Sequence, residues 1–288
     1  MFAKIISMIL SAVFSFLWLF GIVPGVTVMR DVAYASQSQS QKVDIFIPKN
    51  KGEELGLMLM IHGGAWISGD KSDYSDACRS ISSNYGYITA TMNYRLIGEG
   101  ATCEDMLADI TACLEEIKAR ASDKGVRIKS CALLGGSAGG HLSMLYSYKN
   151  QATSPVDISF CVSLSGPTDL TDPNFYSPEN AILYTVAGGL IGVPEMNETD
   201  IGEYTEKLKE VSPLSYVRSD VPATLFCHGM KDSIVPYSNA VSLEKALADC
   251  KAEYTFITYP NSDHDLAADP DKSDEYYRTL VEYAEKYF

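Results

Sequence analysis

Ser137 stands at the centre of Gly135-Gly136-Ser137-Ala138-Gly139-Gly140. The apolar run Cys131-Ala132-Leu133-Leu134 precedes it, and a helix-like stretch from His141 to Tyr146 follows. Gly-x-Ser-x-Gly between a strand and a helix presents a serine hydroxyl on a sharp turn, and the chemistry that suits it is nucleophilic attack on an acyl carbonyl. Glycines flank such a serine because a Cβ would collide where the strand and helix backbones pass. A hydroxyl is a weak nucleophile by itself. The chemistry therefore requires a base, an acid that orients the base, and amide donors for the oxyanion.

The chain contains 4 histidines, so elimination is informative. His62 opens His62-Gly63-Gly64-Ala65-Trp66 and reads as a brace for that turn. His141 lies one turn into the helix after Ser137 and should point away from the hydroxyl. His228 closes the apolar run Ala223–Cys227. His264 lies in the polar loop Asn261-Ser262-Asp263-His264-Asp265, between a strand and the last helix, and is the expected base. Asp232, in the turn after His228-Gly229, is the expected acid, with Asp169 of Gly166-Pro167-Thr168-Asp169 as a competitor. One oxyanion donor is expected at Ala138, the residue after the nucleophile, and the others in the loop from His62 to Ala65. Trp66 either walls the site or packs against it. Asn93, Tyr94 and Arg95, after another strand, read as structural bracing.

The elements that must hold these residues alternate. Strand patterns occur at 43–48, 57–61, 87–94, 130–134, 158–164, 223–227 and 254–259, the first ending in Pro48 like an edge strand. Helical patterns separate them, most clearly at 104–119, 139–148, 238–248 and 273–287. Such alternation implies an α/β domain with a mostly parallel sheet covered on both faces. Residues 171–217 break the rhythm. They read as a small helical lid on the side where the strands end, with Tyr176 and Tyr184 as candidate pocket residues.

With these residues in hand, the chain resembles α/β-hydrolase esterases of the hormone-sensitive-lipase-like and feruloyl/acetyl-xylan-esterase-like groups. The matching pieces are His62–Trp66, Asn93–Leu96, Gly135–Gly140, Ser165–Leu170, His228–Asp232 and Asp263-His264, which span most of the chain after residue 40. The resemblance implies an α/β-hydrolase fold and a catalytic Ser137–Asp232–His264 triad. It also implies an oxyanion hole from the amides of Gly64, Ala65 and Ala138, with no metal or organic cofactor. Ala65 stands where the lipase-like pattern often has a third glycine, and Gly136 where it often has an aspartate. Both departures favour the His-Gly-Gly-Ala-Trp branch, which also holds carbohydrate esterases and formamidase-like enzymes. The implied substrates are small acyl or carbohydrate esters. Amide, formamide or peptide cleavage by the same triad is the alternative, and a non-catalytic hydrolase-like binding protein is the rival from another class.

Composition narrows the partners. The 288 residues carry 23 Lys and Arg against 37 Asp and Glu, a formal charge of −14. So acidic a surface disfavours nucleic acid and anionic membrane faces and suits neutral esters. The 7 cysteines show neither zinc-ligand spacing nor a disulfide framework. From Ile5 to Met29 no residue is charged, with Lys4 before and Arg30 after. Residues 1–35 are therefore expected to be an apolar leader, either a signal cleaved after Ala35 or a membrane anchor, ahead of a hydrolase domain at 36–288. A soluble helix packed on the domain is a third reading, disfavoured by the all-round apolarity. Export is the expected outcome.

Overall fold

A computed structural model of the chain describes residues 25–49, 52–176, 181–193, 196–197 and 201–288. Its strands are β1 (Val26–Ala33), β2 (Lys42–Pro48), β3 (Glu54–Ile61), β4 (Ile88–Met92), β5 (Arg127–Gly136), β6 (Ile158–Leu164), β7 (Ala223–Gly229) and β8 (Tyr254–Tyr259). The helices are α1 (Ser75–Tyr85), α2 (Cys103–Asp123), α3 (Ala138–Lys149), α4 (Ala181–Leu190), α5 (Ile201–Glu210), α6 (Tyr237–Cys250) and α7 (Pro270–Tyr287). The 8 strands form one sheet in the order β1-β2-β4-β3-β5-β6-β7-β8. β1 and β2 run antiparallel on one side, and every pairing from β4 to β8 is parallel.

Side chains alternate across the parallel strands, as the two-residue period of a strand requires. Leu57, Leu59 and Ile61 of β3 enter one core with α2 and α3, while Met58 and Met60 enter another with α1 and α7. Both faces of the sheet are thus covered, which explains why the central strands read as continuous apolar runs. α2 is fixed at its start by a capping box: Asp105 accepts from the Thr102 amide at 2.9 Å, and Thr102 Oγ1 accepts from the Asp105 amide. Pro270 opens α7, where its missing N–H costs nothing.

Two expectations require correction. The expected leader overlaps the sheet: Val26–Ala33 pair with β2, and Lys71 Nζ bridges Asp31 at 2.9 Å and Asp44 at 2.8 Å. The domain therefore begins by Val26, and a cut after Ala35 would remove a strand. Residues 1–24 lie outside the described residues. The strand at 43–48 is not an edge either, because β1 covers it on one side and β4 on the other.

The expected bracing role of Asn93, Tyr94 and Arg95 matches their contacts. Arg95 binds the buried Asp109 of α2 through its amide at 2.9 Å and its Nε at 3.0 Å, and Gln41 adds a bond of 2.7 Å to the same carboxylate. Tyr94 donates to the His62 carbonyl at 3.0 Å, and the Ile97 amide donates to the Trp66 carbonyl at 2.9 Å. The segment after β4 thereby pins the loop at 62–66. Asp109→Ala removes the anion and leaves Arg95 half-buried without its main partner. The expected loss is about 3 kcal/mol of unfolding free energy, read as a lower urea midpoint at unchanged slope.

Candidate active site

Ser137 lies between β5 and α3 at φ 53° and ψ −123°, a left-handed conformation that costs a non-glycine residue on the order of 1–3 kcal/mol. The surrounding packing imposes it. A Cβ on Gly139 would fall 2.0 Å from the Ile61 carbonyl oxygen, and one on Gly135 would fall 2.3 Å from the Gly139 carbonyl carbon. Strand and helix can pass this closely only as glycines. The Ser137 amide donates to the Leu164 carbonyl at 2.7 Å, fixing the turn to β6.

Asp232 follows β7, and His264 lies in the loop after β8. His264 Nδ1 is 2.9 Å from Asp232 Oδ2. His228 Nε2 is shared between the Val235 carbonyl at 2.9 Å and Asp232 Oδ2 at 3.2 Å, and Asp232 Oδ1 accepts the amides of Ile234 at 2.9 Å and Val235 at 2.8 Å. Burial of this carboxylate would raise its pKa. Hydrogen bonds from His228 and His264 and from the Val235 amide outweigh burial and hold it well below the ordinary value. An ionised carboxylate only accepts, so the proton on the facing side of His264 is on Nδ1 and Nε2 is left as an acceptor.

The two loops are stitched together. The Met230 amide donates to the Tyr259 carbonyl at 2.9 Å and the Lys231 amide to the Ser262 carbonyl at 3.1 Å. Asp263 accepts from the amides of Ser233 at 2.8 Å and His264 at 2.7 Å. Ser137 and His264 border one cavity of about 360 Å³, together with Gly63, Tyr74, Leu164, Leu266 and Tyr276 among others. The competing acid, Asp169, is turned to the Thr171 amide at 2.8 Å and hydroxyl at 2.6 Å and has no bond to His264.

In the loop at 62–66, Gly63 borders the cavity, and a Cβ there would fall 2.9 Å from the Gly136 carbonyl oxygen. Gly64, Ala65 and Trp66 take positive φ angles of 105°, 51° and 57°. The amides of Gly64, Ala65 and Ala138 donate to no backbone or side-chain acceptor among the described residues. Of this loop and the turn at Ser137, Gly63, Gly136 and Ser137 border the cavity.

Trp66 and Tyr184 do not join the cavity, which corrects the candidate pocket role of Tyr184 and leaves Trp66 with its packing alternative. Trp66 is buried in the main core, edge-on to His141 at 5.0 Å between ring centres. Tyr184 of α4 packs on Tyr176 at 5.0 Å. No described residue between 171 and 217 borders the cavity that holds Ser137. Leu183, Val186 and Leu190 of that insertion are instead part of the core, because helices this apolar bury their faces against the domain.

The remaining histidines brace. His62 stacks on Tyr94 at 4.4 Å. His141 Nε2 donates to the Val211 carbonyl at 2.7 Å, and burial pushes its pKa down to about 4. His228 was expected only to close a strand. The structure adds a second donor to Asp232, and the available signal was a histidine ending a buried strand four residues before an aspartate. Tyr74, against Gly136 at the cavity wall, also went unread, since nothing in its local sequence distinguishes it.

A mostly parallel sheet with this turn, acid and histidine order defines an α/β hydrolase. The chain belongs to the BD-FAE family, a family of α/β-hydrolase esterases, whose model matches residues 43–247. It is 24% identical over 259 residues to Esterase LipQ of Mycobacterium tuberculosis, covering 83% of this chain and 58% of that protein. A truncated carbohydrate esterase from gut microbiota superposes with a TM-score of 0.72 at 23% identity, over 90% of this chain and 95% of that one. Inhibited Esterase B from Lactobacillus rhamnosis gives 0.74 at 18% identity, over 99% and 96%. The chain spans about half the length of the curated relatives it matches.

The depressed Asp232 pKa makes a stability prediction. A carboxyl whose folded pKa lies below its ordinary 3.8 contributes stability above about pH 4, and that contribution is lost as pH falls through the folded value. In urea titrations the wild-type midpoint should fall steeply below about pH 4. Asp232→Asn should be less stable at pH 7 and show a shallower acid decline.

Proposed function

We propose that this protein is a serine hydrolase of carboxylic esters. The observation that carries the reading is the bond from His264 Nδ1 to the buried Asp232, in a ring that shares a cavity with Ser137. Ser137 Oγ attacks the ester carbonyl and forms a C–O bond while His264 Nε2 takes its proton. The carbonyl electron pair moves to oxygen, and the amides of Ala138, Gly64 and Ala65 stabilise it. Collapse expels the alcohol, which receives the proton from His264, and leaves an acyl group on Ser137. Water then gives a proton to the same nitrogen and adds to the acyl carbon; collapse breaks the bond to Ser137 Oγ, which takes the proton back from His264, and the acid is released. Asp232 stays ionised throughout and stabilises the imidazolium.

The name of LipQ as an esterase, the carbohydrate esterase likeness and the acidic surface support neutral esters as substrates. The uncharged residues ahead of β1 support an exported or membrane-held domain. Ser137→Ala and His264→Ala should each lower kcat on p-nitrophenyl acetate by about 10⁴-fold or more, with the double variant no worse than the singles. Asp232→Asn should lower it by about 10⁴-fold, because the wrong imidazole tautomer is favoured. Unchanged turnover in Ser137→Ala would refute the assignment.

A further inference from the structure

On the sheet face beneath α1 and α7 lies a second cavity, of about 560 Å³, that the steps above do not use. Its floor is Met58, Met60, Leu134 and Val162, and its flanks include Ile81 of α1 and Leu280 of α7. Tyr74, Leu164, Tyr276 and Tyr277 line both this cavity and the one that holds Ser137, so the two meet at a shared wall. The cavity follows α7 from Tyr276 to Ala284, about 12 Å of helix at ~1.5 Å per residue. Asp76 is the one charged residue along it, and its side chain is 74% exposed at the rim.

We propose that this cavity receives an unbranched alkyl chain of the substrate ester, so that the preferred substrates are esters with an apolar chain well beyond acetyl length. The inference rests on the serine hydrolase reading. A polar sugar would leave hydroxyls unpaired against the apolar floor of Met58, Met60, Leu134 and Val162. An alkyl chain gains from every methylene it hides from water. With the reacting carbonyl at Ser137, the chain would cross the wall shared by Tyr74, Leu164, Tyr276 and Tyr277 and place its tail along α7. Van der Waals space of this size is typical of small-molecule sites.

Two ester series locate the chain: p-nitrophenyl acetate, butyrate, hexanoate and octanoate vary the acyl side, and ethyl, butyl, hexyl and octyl acetate vary the alcohol side. In the series whose chain enters, kcat/KM should rise about fourfold per added methylene, equivalent to ~0.8 kcal/mol. Ala77, exposed on α1 and bordering the cavity, is the position from which to fill it. Ala77→Trp should remove at least tenfold of the gain on the longest ester while leaving acetate turnover unchanged, and Ser80→Trp, on the same rim, should do the same. A flat or falling kcat/KM in both series overturns the proposal, as does a rise that both tryptophan variants leave intact. Absence of turnover on every ester, p-nitrophenyl acetate included, would instead overturn the hydrolase reading and this inference with it.

Discussion

The close crossing of β5 and α3 over β3 sets everything else. With 2.0 Å between an imagined Gly139 Cβ and the Ile61 carbonyl oxygen, no side chain fits, and the backbone at Ser137 is driven into the left-handed region. The strain is maintained by two packed elements and by the bond from the Ser137 amide to β6. Its consequence is a hydroxyl held at the rim where the parallel strands end, beside the free N–H groups at the start of α3. Relaxing that crossing would move the Ser137 hydroxyl and the first amides of α3 together.

The second requirement is electrostatic. A carboxylate withdrawn from water is costly unless its lone pairs are met, and Asp232 meets four donors from three sides. Two are backbone amides of its own turn, one is the buried His228, and one is His264, which alone of these faces the cavity. His228 therefore lets the anion remain charged without contacting a substrate. The side chain of Asp263 and the bonds between the β7 and β8 loops hold the same geometry from outside.

Much of this was legible in the sequence because the relevant signals are local. The glycines around Ser137, the polar loop at His264 and the bounds of β6 and β8 all follow from short patterns. What escaped depends on tertiary placement. β1 merged with the uncharged run before it, since hydropathy does not separate a strand's Val26 to Met29 from a leader. The rank of β2 within the sheet is set by which strand pairs beyond it. For Trp66 and Tyr184 the sequence leaves the facing open, because an aromatic near a site can turn either way, and in both the ring faces the domain interior. α1 is short and polar, so its helical period was faint, yet it supplies one wall of the second cavity.

The central claim is that the strained Ser137 is the nucleophile that His264 and Asp232 activate. The direct measurement is reaction with a fluorophosphonate followed by mass spectrometric mapping of the adduct. The account predicts one adduct, on the peptide containing Ser137, and none in His264→Ala on the same timescale. An adduct on another residue, such as the similarly strained but buried Ser165, or equal labelling without His264, would contradict it.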